Sequence, residues 1–180
     1  MLTTYDDLYC DDWMLPTGNL RENRGGANRA DVIIVTKCPA TISESDKSRV
    51  RKKLRTDKPL FFSTISYDDS VYSLDSVKSV VEIMSIPKLI IAGIAKPQPF
   101  FEYLQNENND IMEFGDHHHF TEKDIDTIKN RAGNKCIITT EKDFVRLKDY
   151  IQKTQLYYLP IRTKLLGDAV NFDSIVFCKF

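Results

Sequence analysis

The stretch KLIIAGIAKPQPF, residues 88–100, is the part of the sequence that best indicates the fold. Lys88 to Ala92 is a short, almost entirely apolar run, which is typical of a strand covered on both faces in a parallel sheet. Gly93 to Lys96 then forms a loop rich in small residues, and Pro97 suits the first turn of a helix. The stretch therefore predicts a buried strand, a tight loop and a helix in direct succession.

The same alternation of apolar runs and capped helical segments continues along the chain. It predicts an α/β fold with a mainly parallel sheet and helices on both of its faces. Strands are expected at residues 2–5, 31–36, 60–65, 88–92, 110–114, 135–139, 156–160 and 174–180. Helices are expected to start at or just after Ser43, Pro97, Thr121 and Thr140, because each of these residue types suits a helix start.

The composition limits the class of protein. The 180 residues are 42% hydrophobic and 28% charged, which is ordinary for a globular domain. The 25 Lys and Arg residues are matched by 26 Asp and Glu residues, so no global positive field attracts nucleic acid. The four cysteines form no CxxC pair, and no apolar run is long enough to span a membrane. We therefore expect a soluble chain with reduced cysteines and no nucleic-acid partner.

The segment GDHHHFT, residues 115–121, carries the most suggestive chemistry. It follows an expected strand and precedes an expected helix, which places it at the carboxyl edge of the sheet, where open α/β sheets bind ligands. A carboxylate can orient a neighbouring histidine and raise its basicity, so Asp116 and His117 are a candidate proton-accepting pair. Three consecutive histidines cannot all face one ion, so we favour the proton-accepting pair and assign no metal ligands. A plain surface loop and a metal-binding loop are the alternatives to that interpretation.

Three other segments have both a functional and a structural interpretation. LPTGNLRE, residues 15–22, is a turn that leads into Arg21 and Glu22, which either face a phosphate group or pair with each other. The loop at Gly93–Ala95 either lets a ligand approach the backbone or lets helix and sheet pack closely. TTEKD, residues 139–143, is explained by helix capping, apart from its lysine.

Taken in order, five segments resemble the C-terminal half of the tetraacyldisaccharide 4'-kinase family, the lipid A 4'-kinases. The segments are LPTGNLRE from Leu15, RADVIIVTK from Arg29, AGIAKPQPFFEYL from Ala92, the Asp-His-His block from Asp116, and TTEKDFVRL from Thr139. Five ordered matches over residues 15–147 are much more specific than any one of them.

The resemblance implies a kinase of lipid A biosynthesis in Gram-negative bacteria, which uses ATP and Mg²⁺ to phosphorylate the 4'-hydroxyl of tetraacyldisaccharide 1-phosphate. ATP and the metal would be bound mainly by an N-terminal P-loop half, since this sequence contains no GxxxxGK[ST] motif. The family's Asp-His motif falls on Asp116 and His117, which are expected to be catalytic, with His117 assisting a base in that other half. Arg21 and Glu22 are expected to bind substrate in the same cleft. His118 and His119 are expected to contribute less.

The resemblance also divides the chain. Residues 1–42 are expected to be a remnant of the N-terminal kinase core domain, residues 43–160 a P-loop-kinase-like C-terminal α/β domain, and residues 161–180 a return segment and strand. An N-terminal truncation is expected, so the chain alone is expected to be inactive. The whole enzyme is expected to lie on the cytoplasmic side of the inner membrane, attached peripherally through its N-terminal half.

Two other functions are compatible with the residues. The Asp116-His117-His118 run also resembles the motif of DHH-type phosphoesterases, which use manganese and further acidic strand ends that this sequence does not show. Alternatively, the chain is a non-catalytic α/β module that binds the disaccharide phosphate or a protein partner. Bound manganese would favour the phosphoesterase, and binding without turnover would favour the module.

Overall fold

The computed structural model describes residues 1–107, 109–167 and 169–177, and the chain divides into two units. The first unit comprises Met1–Ser66 and Arg162–Phe180, and the second comprises Tyr67–Ile161. The strands are β1 (Leu2–Thr4), β2 (Ile33–Thr36), β3 (Leu60–Tyr67), β4 (Ser70–Tyr72), β5 (Val77–Ser79), β6 (Lys88–Ala92), β7 (Asp110–Glu113), β8 (Cys136–Thr140), β9 (Leu156–Leu159) and β10 (Ile161–Leu165). The helices are α1 (Glu44–Leu54), α2 (Val80–Met84), α3 (Gln98–Leu104), α4 (Glu122–Ala132), α5 (Glu141–Leu147) and α6 (Ala169–Phe177), with a short 3-10 helix at Arg24–Arg29.

The first unit is built on a four-stranded sheet in the order β1-β2-β3-β10. The strands β1, β2 and β3 are parallel. The strand β10 runs antiparallel to β3, since Ser66 Oγ donates to the Arg162 carbonyl and the Leu166 amide donates to the Phe62 carbonyl. The buried core of this unit contains Leu8, Ile33, Val35, Cys38, Val50, Leu54, Leu60 and Phe62.

The second unit is built on a six-stranded sheet in the order β5-β4-β9-β8-β6-β7. Its strands β9, β8, β6 and β7 are parallel, whereas β4 is antiparallel to both β5 and β9. Both sheets are therefore mostly parallel, and the predicted α/β fold class is confirmed.

The strands β6 and β8 are apolar on both sides because helices cover both faces of the second sheet. On one face, Ile90, Ala92 and Ile138 pack in a cluster with residues of α2 and α3, namely Val80, Ile83, Phe100, Phe101 and Leu104. On the other face, Leu89, Ile91 and Ile137 pack in a second cluster with residues of α4 and α5, namely Ile125, Ile128, Phe144 and Leu147. The continuous apolar run at residues 88–92 thus has the environment that its composition predicts.

Two polar side chains lie buried at opposite ends of these strands. Lys88 opens β6 with no solvent exposure, and its Nζ donates a hydrogen bond of 3.1 Å to the Ile83 carbonyl. Burial lowers the pKa of Lys88, because a charged ammonium is disfavoured away from water. Near the other end, Thr139 Oγ1 in β8 donates to the Ile91 carbonyl in β6 at 2.9 Å.

The helices begin where the capping residues predict. The Ser43, Thr121 and Thr140 hydroxyls accept the backbone N–H three residues further on, which satisfies one of the free donors in the first helical turn. At Thr121 the Asp124 side chain also bonds back to the Thr121 backbone and completes a capping box.

The structure differs from the sequence-based expectations at both ends of the chain. The predicted strand at residues 174–180 is wrong for residues 174–177, which belong to α6, and residues 178–180 lie outside the described residues. The division expected at residue 43 differs from the structural one, which falls after Ser66. The reason is that β3 pairs with β2 and that α1 packs into the core of the first sheet. The second expected division, after residue 160, differs by one residue.

Three of the four cysteines lie within the described residues. Cys10, Cys38 and Cys136 are free thiols, while Cys178 lies outside the described residues. Among the helices of residues 1–107, 109–167 and 169–177, none combines the length and apolar character needed to cross a bilayer.

Candidate active site

Three loops of the second unit meet at the carboxyl edge of its sheet. They follow β6 at Gly93, β7 at Gly115 and β8 at Thr140, and the register keeps these strand ends level, with Ala92 beside Glu113 and Ile91 beside Thr139. The three loops therefore lie together at one edge of the sheet. The edge is the one at which open α/β sheets bind ligands.

Asp143 fastens two of these loops together. Its side chain is completely buried, and its Oδ2 accepts hydrogen bonds from the Gly93 amide at 2.8 Å and from Thr140 Oγ1 at 2.7 Å. The other oxygen, Oδ1, makes no hydrogen bond and lies 3.7 Å from Arg146 Nη1. A Cβ at position 93 would lie 3.2 Å from Oδ1, so this close approach favours glycine there. The capping pattern at residues 139–143 accounts for Asp143 at the start of α5 but does not predict this link to Gly93 after β6, 50 residues away in the sequence.

The backbone at His117 adopts a left-handed conformation with φ of +59°, which is uncommon for a residue with a Cβ. Two local hydrogen bonds support it. The His117 amide donates to Asp116 Oδ1 at 3.0 Å, and the His118 amide donates to the Gly115 carbonyl at 3.1 Å. The turn directs the His117 ring back toward Asp116, with Nε2 3.7 Å from Oδ2, which is longer than a hydrogen bond.

Lys142 is the second partner of the Asp116 carboxylate. Its Nζ lies 3.2 Å from Asp116 Oδ1, and both side chains are slightly more than one-third exposed. The hydrogen bond from Lys142 is the main reason why the pKa of Asp116 is lowered, with smaller contributions from His117. Asp116 is therefore ionised near neutral pH and can stabilise a positive charge on the imidazole of His117, whose side chain is 73% exposed.

His118 has a different environment from His117. Its ring contacts the rings of Phe114 and Phe120 at centroid distances of 4.9 and 5.3 Å, and its Nε2 lies 3.0 Å from Asp124 Oδ2. Its carbonyl accepts a hydrogen bond from Arg146 at 3.2 Å. These contacts give His118 a structural role at the start of α4, whereas His119 is exposed.

The pKa of Asp124 falls from 3.8 to about 2, first because the Thr121 hydroxyl and amide donate to it and then because His118 does. A carboxyl whose pKa is lowered by folding stabilises the folded state above its unfolded pKa and loses that effect as pH falls through the folded value. We predict that the second unit loses stability between about pH 4 and about pH 2, and that Asp124→Asn makes this loss smaller. Urea unfolding at pH 6, 4 and 2.5, followed by the amide resonances of Ile125 and Ile128, measures both. An identical acid-side loss in the parent and the variant would contradict the assignment to Asp124.

Arg21 and Glu22 lie in the first unit, whereas Asp116 and His117 lie in the second. Glu22 forms an ion pair with Arg29, not the pair with Arg21 that was the structural alternative. The side chains of Glu22 and Arg29 are both mostly exposed. The cleft expected to bring Arg21 and Glu22 to Asp116 and His117 stays a prediction.

A metal site needs several ligand side chains that converge on one point. Across residues 1–107, 109–167 and 169–177, no three or more His, Cys, Asp or Glu side chains are grouped so that they could hold a metal ion. The sequence also lacks a P-loop. The described residues therefore supply neither a three-ligand metal site nor the motif that usually binds the phosphates of ATP.

Fold and site together define an α/β protein with ionisable side chains at the carboxyl edge of a parallel sheet. The model of the Tetraacyldisaccharide-1-P 4'-kinase family matches residues 2–177, and the chain belongs to that family. It is 54% identical to the tetraacyldisaccharide 4'-kinase of Flavobacterium johnsoniae over 96% of the chain, and 48% identical to that of Flavobacterium psychrophilum over 97%. Each match covers 52% of the relative, so the chain spans about half the length of these curated relatives.

A solved structure shares the fold. LpxK from Aquifex aeolicus superimposes with a TM-score of 0.63 at 20% identity, and the match covers 99% of this chain and 51% of that one. At this level of identity the likeness concerns the fold alone.

Proposed function

We propose that the chain supplies the C-terminal part of the active site of a tetraacyldisaccharide 4'-kinase, in which ATP phosphorylates the 4'-hydroxyl of tetraacyldisaccharide 1-phosphate. The observation that carries the proposal is the Asp116–His117 pair, which presents an exposed imidazole beside an ionised carboxylate at the carboxyl edge of a parallel sheet. The family membership of residues 2–177 supports the choice of reaction.

In this proposal His117 assists removal of the proton from the attacking hydroxyl. The imidazole accepts positive charge as the proton moves, and the Asp116 carboxylate 3.7 Å away stabilises that charge. The 73% exposure of the His117 side chain leaves it accessible to groups outside this chain. Arg21 and Glu22 are proposed to contact the substrate, because an arginine fork suits a phosphate oxygen pair.

ATP and Mg²⁺ are assigned to the other half of the family's enzyme, where they would supply the transferred phosphoryl group and neutralise its charge. The Aquifex aeolicus relative was solved in complex with ATP, which supports the use of that nucleotide. The inner-membrane surface is likewise proposed as the site of action, because the substrate is a lipid disaccharide.

The experiment that tests the proposal compares the chain alone with the chain joined to the N-terminal half of the Flavobacterium johnsoniae relative. We predict no detectable phosphorylation of the disaccharide by the chain alone, because a site without the groups that hold the phosphates cannot stabilise the transferring group. The joined protein is expected to transfer ³²P from ATP to the lipid. Turnover by the chain alone would refute the assignment of ATP to the other half, and binding of lipid without turnover by the joined protein would favour a binding module.

The described residues do not support the phosphoesterase alternative. Such an enzyme needs several acidic strand ends around its metal, and the described parts of the chain group no such side chains at Asp116.

A further inference from the structure

The Asp116 carboxylate divides its two oxygens between two tasks. Oδ1 accepts from Lys142 Nζ at 3.2 Å and from the His117 amide at 3.0 Å. Oδ2 is the oxygen nearest to the His117 ring, at 3.7 Å from Nε2. Since a carboxylate is planar, holding Oδ1 also fixes the direction in which Oδ2 points.

Lys142 approaches Asp116 from a helix that is attached to the sheet. It is the second residue of α5, and the next residue, Asp143, binds the Gly93 amide and the Thr140 hydroxyl from a fully buried position. Phe144 and Leu147 anchor the same helix in the core. Asp116, in contrast, lies on a loop whose next residue has a left-handed backbone. The ammonium therefore comes from a helix anchored in the core and contacts a carboxylate on an exposed loop.

We propose that Lys142 is a positioning residue for the Asp116–His117 pair, because its ammonium holds Asp116 Oδ1 and thereby turns Oδ2 toward the imidazole. The inference rests on the proposed function in that the pair is taken to be catalytic. Helix capping explains why Thr140 and Asp143 stand at the start of α5, but it does not explain Lys142. The contact with Asp116 gives Lys142 a role.

The proposal has an electrostatic consequence that a purely steric role would lack. The charged groups acting on Asp116 are Lys142 from α5 and His117 from its own loop. If Lys142 loses its charge, the partners that remain for the carboxylate among the described residues are the His117 ring and the His117 amide. Its titration should then move to higher pH, since an opposite charge nearby favours the ionised form.

The first test uses the whole chain and needs no kinase activity. The ¹³C resonance of the Asp116 carboxyl and the proton resonance of the His117 amide are followed from pH 2 to pH 7 in the parent, Lys142→Gln, Lys142→Arg and Lys148→Gln. Lys148 follows the last turn of the same helix and serves as the control. We expect both resonances to titrate at higher pH in Lys142→Gln, and at the parent pH in Lys142→Arg and Lys148→Gln. An unchanged titration in Lys142→Gln would overturn the proposal.

The second test uses the joined two-half protein described above. Lys142→Gln is expected to lower kcat about 10-fold with little change in KM, and Lys142→Arg should recover most of it. A full kcat in Lys142→Gln, in a protein that loses turnover with His117→Ala, would overturn the role of Lys142 and leave the proposed function standing. Full turnover in both variants would instead overturn the proposed function itself, whatever the NMR titration shows.

Discussion

His117→Ala is expected to lower turnover of the joined kinase about 100-fold or more, which is the range for loss of a positioned acid–base group. The substitution removes the imidazole that the proposed reaction uses and keeps the backbone amide that donates to Asp116. The imidazole acts on the proton as it moves, so its loss should lower kcat and kcat/KM together and change substrate affinity less. Steady-state kinetics with varied disaccharide at saturating ATP measures both constants.

The two neighbouring histidines are the matched controls for this prediction. His119 is exposed, and His119→Ala should be nearly silent. His118→Ala removes the contacts with Phe114 and Asp124, so it should lower the free energy of unfolding. At a temperature where the variant stays folded, its kcat should remain close to that of the parent. Equal kinetic losses at all three positions would point to metal ligation or general loop disruption, and an unchanged kcat in His117→Ala would falsify the assisting role.

Asp143→Ala is expected to lower the free energy of unfolding of the second unit by about 3 kcal/mol. The substitution leaves the buried Gly93 amide without its acceptor, and an unsatisfied buried group costs about 1–3 kcal/mol; it also removes the acceptor of the part-buried Thr140 hydroxyl. It also creates a small cavity beside Gly93. Urea unfolding at pH 7, followed by amide resonances of β6 and α5, measures the loss.

Asp149→Ala is the control, because it removes an exposed carboxylate just beyond the same helix and should change stability by less than 0.5 kcal/mol, the usual scale for surface substitutions. Asp143→Asn keeps one acceptor oxygen and should fall between the two. A loss below about 1 kcal/mol in Asp143→Ala would mean that water replaces the carboxylate without difficulty and that the link between β6 and α5 contributes little.

The elements that the sequence predicts well are those in which several neighbouring signals indicate the same structure. At residues 88–97 an apolar run, a small-residue loop and a proline all indicate the same strand-loop-helix unit. The strand β6 lies at the start of this stretch, and α3 begins directly after Pro97. The short strands β4 and β5 have only three residues each, which is too few to show a period. Residues 174–177 are rich in β-branched and aromatic side chains and predict a strand, yet the segment is helical, so context overrides propensity there.

The position of the candidate residues on the sheet could be predicted from the sequence, whereas their contacts could not. Asp116 and His117 are candidates because of their residue types and their place after a strand, and their roles stay a prediction, whereas the loops at Gly93 and Thr140 do lie at the same edge of the sheet. The contact between Lys142 and Asp116 spans 26 residues of sequence and depends on how β7 and β8 flank β6. No spacing rule encodes such a contact, because strand order is set by the packing of the whole sheet.

The buried ends of β6 and β8 bear on how this unit reaches a unique alignment during folding. A strand that is apolar on both faces can slip by one residue against its neighbour and still bury apolar side chains, so hydrophobicity alone does not select one pairing. Thr139 breaks that degeneracy, since a slip of β8 against β6 would separate the buried Thr139 Oγ1 from the Ile91 carbonyl. This cross-strand hydrogen bond thus distinguishes one alignment from the others, and the native register in turn places the loops after β6 and β8 side by side.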